Sequence, residues 1–410
     1  MQNARIIAAL VLTYMLFGIL LNSVGTVILQ SIATMGQTKA SASVLEAFKD
    51  LPIAITSFLI ASALPRLGFR RAMILGTSTV AAACLAMPLV PVFAMSKLLF
   101  AVTGVAFALV KVSVYSTIGL ITDGPAKHAS LTNLIEGLFM VGVLSGYWLF
   151  SAFFHPTDPS SLAWLDVYWV LAFASVGIVI LLATTTLDES AAKRPNSALA
   201  SELTVMFKLA AKPLVLVFVF SAFLYVLIEQ AIGTWLPTFN NEILHLPSAM
   251  SVQAASLFAA ALAIGRLGAS AVLIRLDWFK VVTVCVVAMV LLVAVSIPLT
   301  RDIDPTADVG WLSAPIAAFL LPLIGLFLAP IYPAINSAML SALPKPDHAA
   351  MTGLLVVFSA LGGTTGSFVT GQVFARFDGQ TAFSISIVPM VLMLACLAGF
   401  RRLRDDKALK

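Results

Sequence analysis

Long apolar runs separated by short polar stretches make up most of this chain. A helix needs about 20 apolar residues to cross a bilayer. Nine charge-free stretches reach that length: 6–38, 72–96, 137–157, 167–187, 243–265, 281–300, 309–344, 348–375 and 379–400. Three further apolar stretches, 44–65, 93–122 and 213–239, contain charged residues. The pattern therefore predicts an all-α integral membrane protein with twelve transmembrane helices.

The composition excludes a soluble protein. Of the 410 residues, 60% are hydrophobic and 10% are charged, and the mean hydropathy is +1.03. A soluble domain has about 45–50% apolar and about 25% charged residues. The polar residues are too few to cover a soluble fold, which excludes soluble enzymes, nucleic-acid binders and disordered chains. We therefore expect a monomer in a lipid bilayer, with no nucleic-acid partner.

Neither the cysteines nor the N-terminus indicates a secreted or metal-binding protein. The three cysteines, Cys84, Cys285 and Cys396, are scattered over apolar runs. That is not the pattern of a disulfide framework or a metal site. The first apolar stretch is too long for a cleavable signal peptide, and no small-residue cleavage site follows it.

The distribution of Lys and Arg predicts the orientation, because cytoplasmic loops carry an excess of both. If the N-terminus is inside, 17 of the 24 lie in cytoplasmic segments and four in outer loops, with three inside spans. The sequence therefore predicts a multi-pass protein of the inner (cytoplasmic) membrane with both termini in the cytoplasm.

The two halves of the chain are related by an internal repeat. The segment 21–26 matches 229–234 at an offset of 208, and 66–71 matches 275–280 at 209. Gly104 matches Gly325 at 221, and Gly142 matches Gly362 at 220. Four matches in order predict two six-helix bundles, at 1–187 and 213–410, joined by a cytoplasmic linker at 188–212.

Three short motifs make the chain resemble the major facilitator superfamily over essentially its full length. The stretch PRLGFRR (65–71) is similar to that superfamily's loop between helices 2 and 3, although Pro65 stands where an acidic residue is usual. The stretches IGRLG (264–268) and APIYP (329–333) are most similar to the fucose–galactose–glucose:proton symporter group. The resemblance implies a central cavity lined by helices 1, 4, 7 and 10, which rocking of the halves opens to each side in turn.

Lys111 is the most informative charge inside a span. A charge at mid-bilayer costs at least about 2.5–3.5 kcal/mol, so it needs a partner, a wet cavity or a proton. Lys111 lies about 18 Å from the cytoplasmic helix end, near the midplane, on one helix face with Gly104, Ala108 and Tyr115. It is either a substrate or coupling site that attracts an anionic group, or a lysine that a neighbouring acid neutralises permanently.

Four carboxylates are candidates for proton coupling. Glu229 lies about 24 Å deep, within about 6 Å of the depth of Lys111, so the two could meet across the cavity. The other candidates are Glu136 and the pair Glu46 and Asp50, which flank Lys49 at helical spacing. Glu229 could instead be a hydrogen-bonded acid that never titrates. The trio of 46, 49 and 50 is either a locally paired, partly wet helix start, an acidic vestibule or a second proton site.

Glu136 and Arg266 lie at similar depths on helices 5 and 8, which pack between the halves in the resembled fold. We predict a salt bridge between them that closes the cytoplasmic side in the outward-open state. The alternative is that Glu136 titrates, or pairs with Lys111 inside the first half.

Polar side chains at repeat-related or midplane positions are candidates for substrate binding, because carboxamides and phenols bind hydroxyl groups without the cost of a charge. With Lys111, they are Asn22, Tyr115, Tyr225, Gln230, Tyr332 and Asn336. The alternative for each is an interhelical hydrogen bond. The indole of Trp235 could stack on a sugar face. Gly142, Gly146, Gly362, Gly363 and Gly366 are expected to permit close packing at the moving interface.

The chain has no nucleotide-binding loop, nucleophile elbow or metal signature, so we expect neither an enzyme nor a cofactor. The leading hypothesis is a secondary transporter for a small polar organic solute, coupled to protons. The resemblance favours sugar uptake, but the resembled symporters carry acids in helices 1 and 4, where Asn22 and Lys111 stand. An organic anion or zwitterion, or export of a siderophore or drug, is the alternative, with Lys111 as the anion site. A non-transporting membrane receptor or scaffold is the alternative from another class.

Overall fold

The computed structural model describes residues 2–60, 64–122, 124–189, 208–273, 275–301, 303–304, 309–340 and 348–408, and its regular elements there are all helical. The first half contains α1 (Gln2–Leu21), α2 (Val24–Met35), α3 (Lys39–Ala42), α4 (Leu45–Ile60), α5 (Leu64–Leu67), α6 (Phe69–Leu89), α7 (Phe93–Ile121), α8 (Pro125–Ser151) and α9 (Val167–Ala183). The second half contains α10 (Pro213–Gly233), α11 (Leu236–Glu242), α12 (Ser248–Leu273), α13 (Trp278–Ser296), α14 (Ala317–Leu320), α15 (Ile324–Leu328), α16 (Ile331–Leu340), α17 (His348–Arg376), α18 (Gly379–Ile385) and α19 (Ile387–Ala408). Short 3-10 turns occur at Leu162–Asp166, Pro298–Thr300 and Leu321–Leu323.

The predicted all-α membrane fold is confirmed. Within the described residues, 11 helical stretches are long and apolar enough to cross a membrane. The remaining predicted span, 44–65, corresponds to α4, which has 16 residues, and to the start of α5. Residues 61–63 of that span lie outside the described residues. These stretches together correspond to the twelve predicted spans.

The chain forms two compact units. Unit 1 contains residues 1–37 and 45–199, and unit 2 contains residues 38–44 and 200–410. Most of the predicted linker, residues 190–207, lies outside the described residues. The short helix α3 packs within unit 2, where Lys39 forms a 2.7 Å salt bridge with Glu242 and lies over the ring of Phe374.

Close packing at glycines shows the repeat inside each unit. A methyl group added at any of six glycines would press against a neighbouring helix: at five it would collide with the backbone, and at Gly146 it would lie 3.3 Å from Ile19 Cα, closer than ordinary contact. The neighbours are Met15 for Gly142 and Phe223 for Gly362, Ile19 for Gly146 and Leu227 for Gly366, and Lys49 for Gly104 and Phe258 for Gly325. The neighbours are separated by 208, 208 and 209 residues, which are the offsets that the sequence repeat has on those helices. The repeat therefore extends from sequence to packing.

The same contacts correct one expectation about these glycines. They permit close packing, but Gly142 and Gly146 join α8 to α1 inside unit 1, and Gly362 and Gly366 join α17 to α10 inside unit 2. Only a residue without a side chain lets two helix backbones approach this closely. The contacts therefore hold helix pairs together within each unit.

Several predicted spans are interrupted, among them the first, the seventh, the tenth and the twelfth. The first stops at Leu21 and resumes at Val24 as α2, and Ser23 Oγ donates a hydrogen bond to the carbonyl of Leu20 across the break. The tenth is divided between α14, α15 and α16, with a break at Ala329 and Pro330. Pro330 accounts for this break, since proline cannot donate to the helical ladder.

Candidate functional site

Lys111 projects from the middle of α7, and its side chain is exposed rather than packed in the core of unit 1. Its ammonium lies over the ring of Phe107, 5.7 Å from the ring centre. Among the described residues of unit 1, no carboxylate lies within salt-bridge distance of it, although Glu136 acts on it electrostatically. Permanent neutralisation by a close salt bridge inside unit 1 is thus not what the structure shows.

Glu136 is held by a tyrosine. The Tyr115 hydroxyl, one helical turn after Lys111, donates a hydrogen bond to Glu136 Oε1 on α8. Both side chains are half-buried. Within unit 1 the structure therefore brings together Lys111, Tyr115 and Glu136, three residues that the sequence had placed in the site.

Sequence reasoning missed Tyr14. This α1 residue is buried, its ring meets Tyr115 edge-on at 6.3 Å, and it interacts electrostatically with Tyr115 and Glu136. The available signal was a lone phenol in an otherwise apolar span, since a buried tyrosine hydroxyl usually has a polar partner. We refer to Tyr14, Lys111, Tyr115 and Glu136 as the Lys111 cluster.

Unit 2 contains a second group of polar residues. Arg266 on α12 lies 3.9 Å from Glu229 on α10, with 44% and 22% of the two side chains exposed. The rings of Tyr225 and Tyr332 are 5.1 Å apart beside this pair. Unit 2 therefore also combines a cation, a carboxylate and two phenols.

Two of the three predicted carboxamides, Asn22 and Gln230, make hydrogen bonds to residues four positions away in the chain. The amide nitrogen of Asn22 donates to the Gly18 carbonyl at 3.0 Å, and its side chain is exposed. In unit 2, Gln230 Oε1 accepts a 2.8 Å hydrogen bond from Thr234, and Asn336 on α16 is half-buried.

The suggestion that Trp235 stacks on a substrate is wrong for this structure. The side chain is fully buried, and its indole nitrogen donates to the Ser367 carbonyl at 2.9 Å. Its ring fills the space beside Gly371, where an added methyl group would collide with it. The indole is therefore a packing element of unit 2, because its single donor is already satisfied and its ring is enclosed.

Glu46, Lys49 and Asp50 lie together in unit 1, as the sequence predicted. Lys49 binds Glu46 Oε1 and lies 3.5 Å from Asp50 Oδ1. The exposed fractions of the three side chains are 0%, 8% and 12% in chain order, so the predicted partly wet helix start is in fact nearly dry. We refer to these three residues as the triad.

A family model described as the Major Facilitator Superfamily matches residues 6–321 of the chain. The chain belongs to this superfamily. It is therefore a multi-pass membrane transporter and not an enzyme. No curated protein sequence matches it.

Solved transporter structures share the fold over nearly the whole chain. The nucleoside transporter NupG has a TM-score of 0.73 and 17% identity, with 97% of this chain and 98% of that chain covered. A bacterial homologue of the human lysosomal transporter Spinster, in an inward-facing and occupied conformation, has a TM-score of 0.70 and 14% identity, with 99% of this chain and 97% of that chain covered. The E. coli fucose:proton symporter FucP has a TM-score of 0.59 and 15% identity, with 97% of this chain and 98% of that chain covered. Identities this low show the shared fold alone.

Sequence reasoning also missed Glu189, which contacts the loop at 65–71. Gly68, with φ +88°, directly precedes α6, and the carboxylate of Glu189 accepts hydrogen bonds from the backbone N–H groups of Phe69 (3.0 Å) and Arg70 (2.8 Å). Glu189 thereby satisfies two of the unpaired donors at this helix N-terminus, where a negative charge is favourable. Glu189, near the end of unit 1, thus provides a carboxylate next to the loop in which Pro65 stands where an acidic residue is usual.

The predicted gate between Glu136 and Arg266 would join residues of the two units, and it stays a prediction. Within its own unit, each residue already has a partner: Tyr115 for Glu136 and Glu229 for Arg266.

Proposed function

We propose that this superfamily member is a proton-coupled secondary transporter that imports a small polar organic solute bearing an anionic group, by alternating access. The observation that carries the proposal is Lys111, an exposed residue whose side chain has no salt bridge with a described residue of unit 1. The positions of Lys and Arg support an inner-membrane location with both termini in the cytoplasm.

The physical argument is the cost of an isolated charge inside a membrane helix. A lysine there costs at least about 2.5–3.5 kcal/mol unless a partner, a wet cavity or a change of protonation relieves it, and a counter-ion is the relief that a solute can supply. A carboxylate at about 4 Å in partly polarised surroundings interacts with it by about 4 kcal/mol. An anionic group on the solute therefore offsets the cost of Lys111, whereas a neutral sugar leaves the charge uncompensated.

Glu136 supplies a simple means of coupling to protons. Its negative charge acts on Lys111 and opposes the approach of a second anion to that ammonium. Protonation of Glu136 removes this competition, so proton binding favours binding of the anionic solute. Tyr115 donates a hydrogen bond to this carboxylate and so holds it in place. One proton and one anionic group are thereby moved together. Glu229 is the second coupling candidate, and its use requires the pair with Arg266 to open.

Matched ligands test the choice of solute. We expect purified protein to be stabilised against thermal unfolding by a sugar acid such as glucuronate and not by glucose, which differs from it only at the carboxylate. Lys111→Gln should abolish this stabilisation, and Lys111→Arg should retain part of it. Lys97→Gln is the control, because Lys97 lies on the same helix but over the rings of Phe93 and Phe48. Equal stabilisation by glucose, or by glucuronate in Lys111→Gln, would contradict the proposal.

A neutral sugar is the second candidate. The tilted pair of Tyr225 and Tyr332 offers an aromatic surface and two hydroxyl groups of the kind that bind sugars. Likeness of fold to a fucose:proton symporter also favours it. Stabilisation by glucose that is lost in Tyr332→Ala and kept in Lys111→Gln would select this candidate.

A non-transporting receptor is distinguished by flux. Proteoliposomes preloaded with the stabilising solute should exchange it for external labelled solute, which a receptor cannot do.

A further inference from the structure

The triad is a buried group of charges outside the Lys111 cluster. Glu46 is fully enclosed, and only 8% of the Lys49 side chain and 12% of the Asp50 side chain are exposed. Two carboxylates share one ammonium, so the fully ionised triad has a net charge of −1. Such a charge is costly in dry surroundings, and two carboxylates that share a site compete for a proton.

The triad also holds the broken end of α1. Lys49 Nζ lies 3.4 Å from the carbonyl oxygen of Leu21, the last residue of α1. Carbonyl groups in the last turn of a helix have no partner within the helix, and a cation is favourable there. Lys49 therefore links two carboxylates on α4 to the break between α1 and α2.

The surroundings offer the triad few other titratable groups. Tyr147 of α8 faces it and interacts with Lys49 and Glu46, and α2 contains no titratable side chain. From α7, the backbone at Gly104 packs directly against Lys49, and the ammonium of Lys97 lies 5.7 Å from the ring centre of Phe48. A proton taken up here therefore goes to one of the two carboxylates.

Asp50 is the carboxylate suited to take that proton. It is the more exposed of the two, and it lies 3.5 Å from Lys49, whereas Glu46 is fully buried in a closer bond with the same ammonium. Protonation of Asp50 leaves a neutral pair of Glu46 and Lys49. Lys49 then no longer has to neutralise two carboxylates, so its ammonium can move toward Glu46 and away from the carbonyl of Leu21.

Two helices connect the triad to the Lys111 cluster. Leu21 follows Tyr14 by seven residues on α1, and Lys111 follows Gly104 by seven residues on α7. Seven residues are two helical turns, or about 10 Å. Each helix therefore touches the triad at one point and the Lys111 cluster two turns away, on the same face.

Building on the proton coupling proposed above, we propose that the triad is a second proton-binding site, with Asp50 as its proton acceptor, and that its protonation loosens the hold of Lys49 on the broken end of α1. The proton adds to a carboxylate oxygen to give a carboxylic acid, and no other bond is made or broken except hydrogen bonds.

Hydrogen exchange of purified protein, without solute, tests this site. We would compare backbone exchange of a peptide covering residues 18–27 at acidic and at neutral pH, after correction for the intrinsic rate. Wild-type protein should exchange about fivefold faster at acidic pH, which is the effect of losing one hydrogen bond at the break. Asp50→Asn should exchange at the fast rate at both pH values, and Asp50→Glu should restore the response.

Glu136→Gln is the matched control, because it removes the carboxylate of the other cluster. It should keep the pH response of residues 18–27. A wild-type response that is absent, or one that Asp50→Asn retains or Glu136→Gln abolishes, would overturn the proposal. Because the measurement involves neither solute nor flux, an incorrect solute or an absence of transport would leave its outcome unchanged.

Discussion

Substitution of Gly366 by alanine is a direct test of how the helices of unit 2 pack. The added methyl group would lie 2.9 Å from both Cα and the carbonyl carbon of Leu227, where 3.4 Å is the start of ordinary contact. The two helices must therefore separate by at least 0.5 Å, because a helix backbone cannot rotate away as a side chain can. Overpacking of this kind costs about 1–3 kcal/mol.

A matched glycine supplies the control. Gly177 lies in α9, is exposed, and has nothing within 4 Å of the position of an added methyl group. Alanine there brings only its better helix propensity, up to about 1 kcal/mol. The same gain at Gly366 offsets part of the overpacking and leaves a net loss of up to about 2 kcal/mol.

The assay is thermal unfolding of the purified variants in detergent. We expect Gly366→Ala to unfold at a lower temperature than wild type, and Gly177→Ala at the same or a higher temperature. Gly142→Ala in unit 1 should behave like Gly366→Ala, since its methyl group would lie 2.9 Å from the Cα atom of Met15 in the same unit. If Gly366→Ala were as stable as Gly177→Ala, the inferred backbone contact would be refuted.

Three further predictions concern individual side-chain contacts. Tyr115→Phe removes the hydrogen bond to Glu136 but keeps the ring, so it should lower the unfolding temperature by the equivalent of about 1 kcal/mol, and an unchanged unfolding temperature would contradict this contact. Glu189→Gln weakens the cap on α6 and should lower the unfolding temperature; an unfolding temperature equal to that of wild type would contradict the cap. Each of Glu136→Arg and Arg266→Glu should impair solute exchange, which needs no proton coupling, and the double variant should restore exchange; failure to rescue would count against the predicted gate.

Much of the fold follows from the sequence because lipid imposes one simple rule. Every backbone polar group in a membrane must be satisfied within the protein, so long apolar runs must become helices. The repeat was predictable too, because Gly104, Gly142 and their counterparts occupy positions where two backbones meet, and no other residue fits there.

The site was predictable only in part. Lys111 and Glu136 were identified because charges inside spans are rare, and the same reasoning found Asp50 and Glu46. Partners were harder to predict, since a hydrogen bond depends on how two helices are rotated and not on either sequence alone. Tyr14 and Glu189 were missed for that reason, and the enclosure of Trp235 depends on the space beside Gly371.

The central claim is that uptake of an anionic solute is driven by protons through Glu136. The most direct measurement is uptake by proteoliposomes that contain a pH-sensitive dye, with an acidic exterior and equal initial solute on both sides. We predict that wild-type protein accumulates the solute while the lumen acidifies, and that Glu136→Gln exchanges solute without accumulation or acidification. Accumulation by Glu136→Gln at the wild-type level, with the same acidification, would contradict the account.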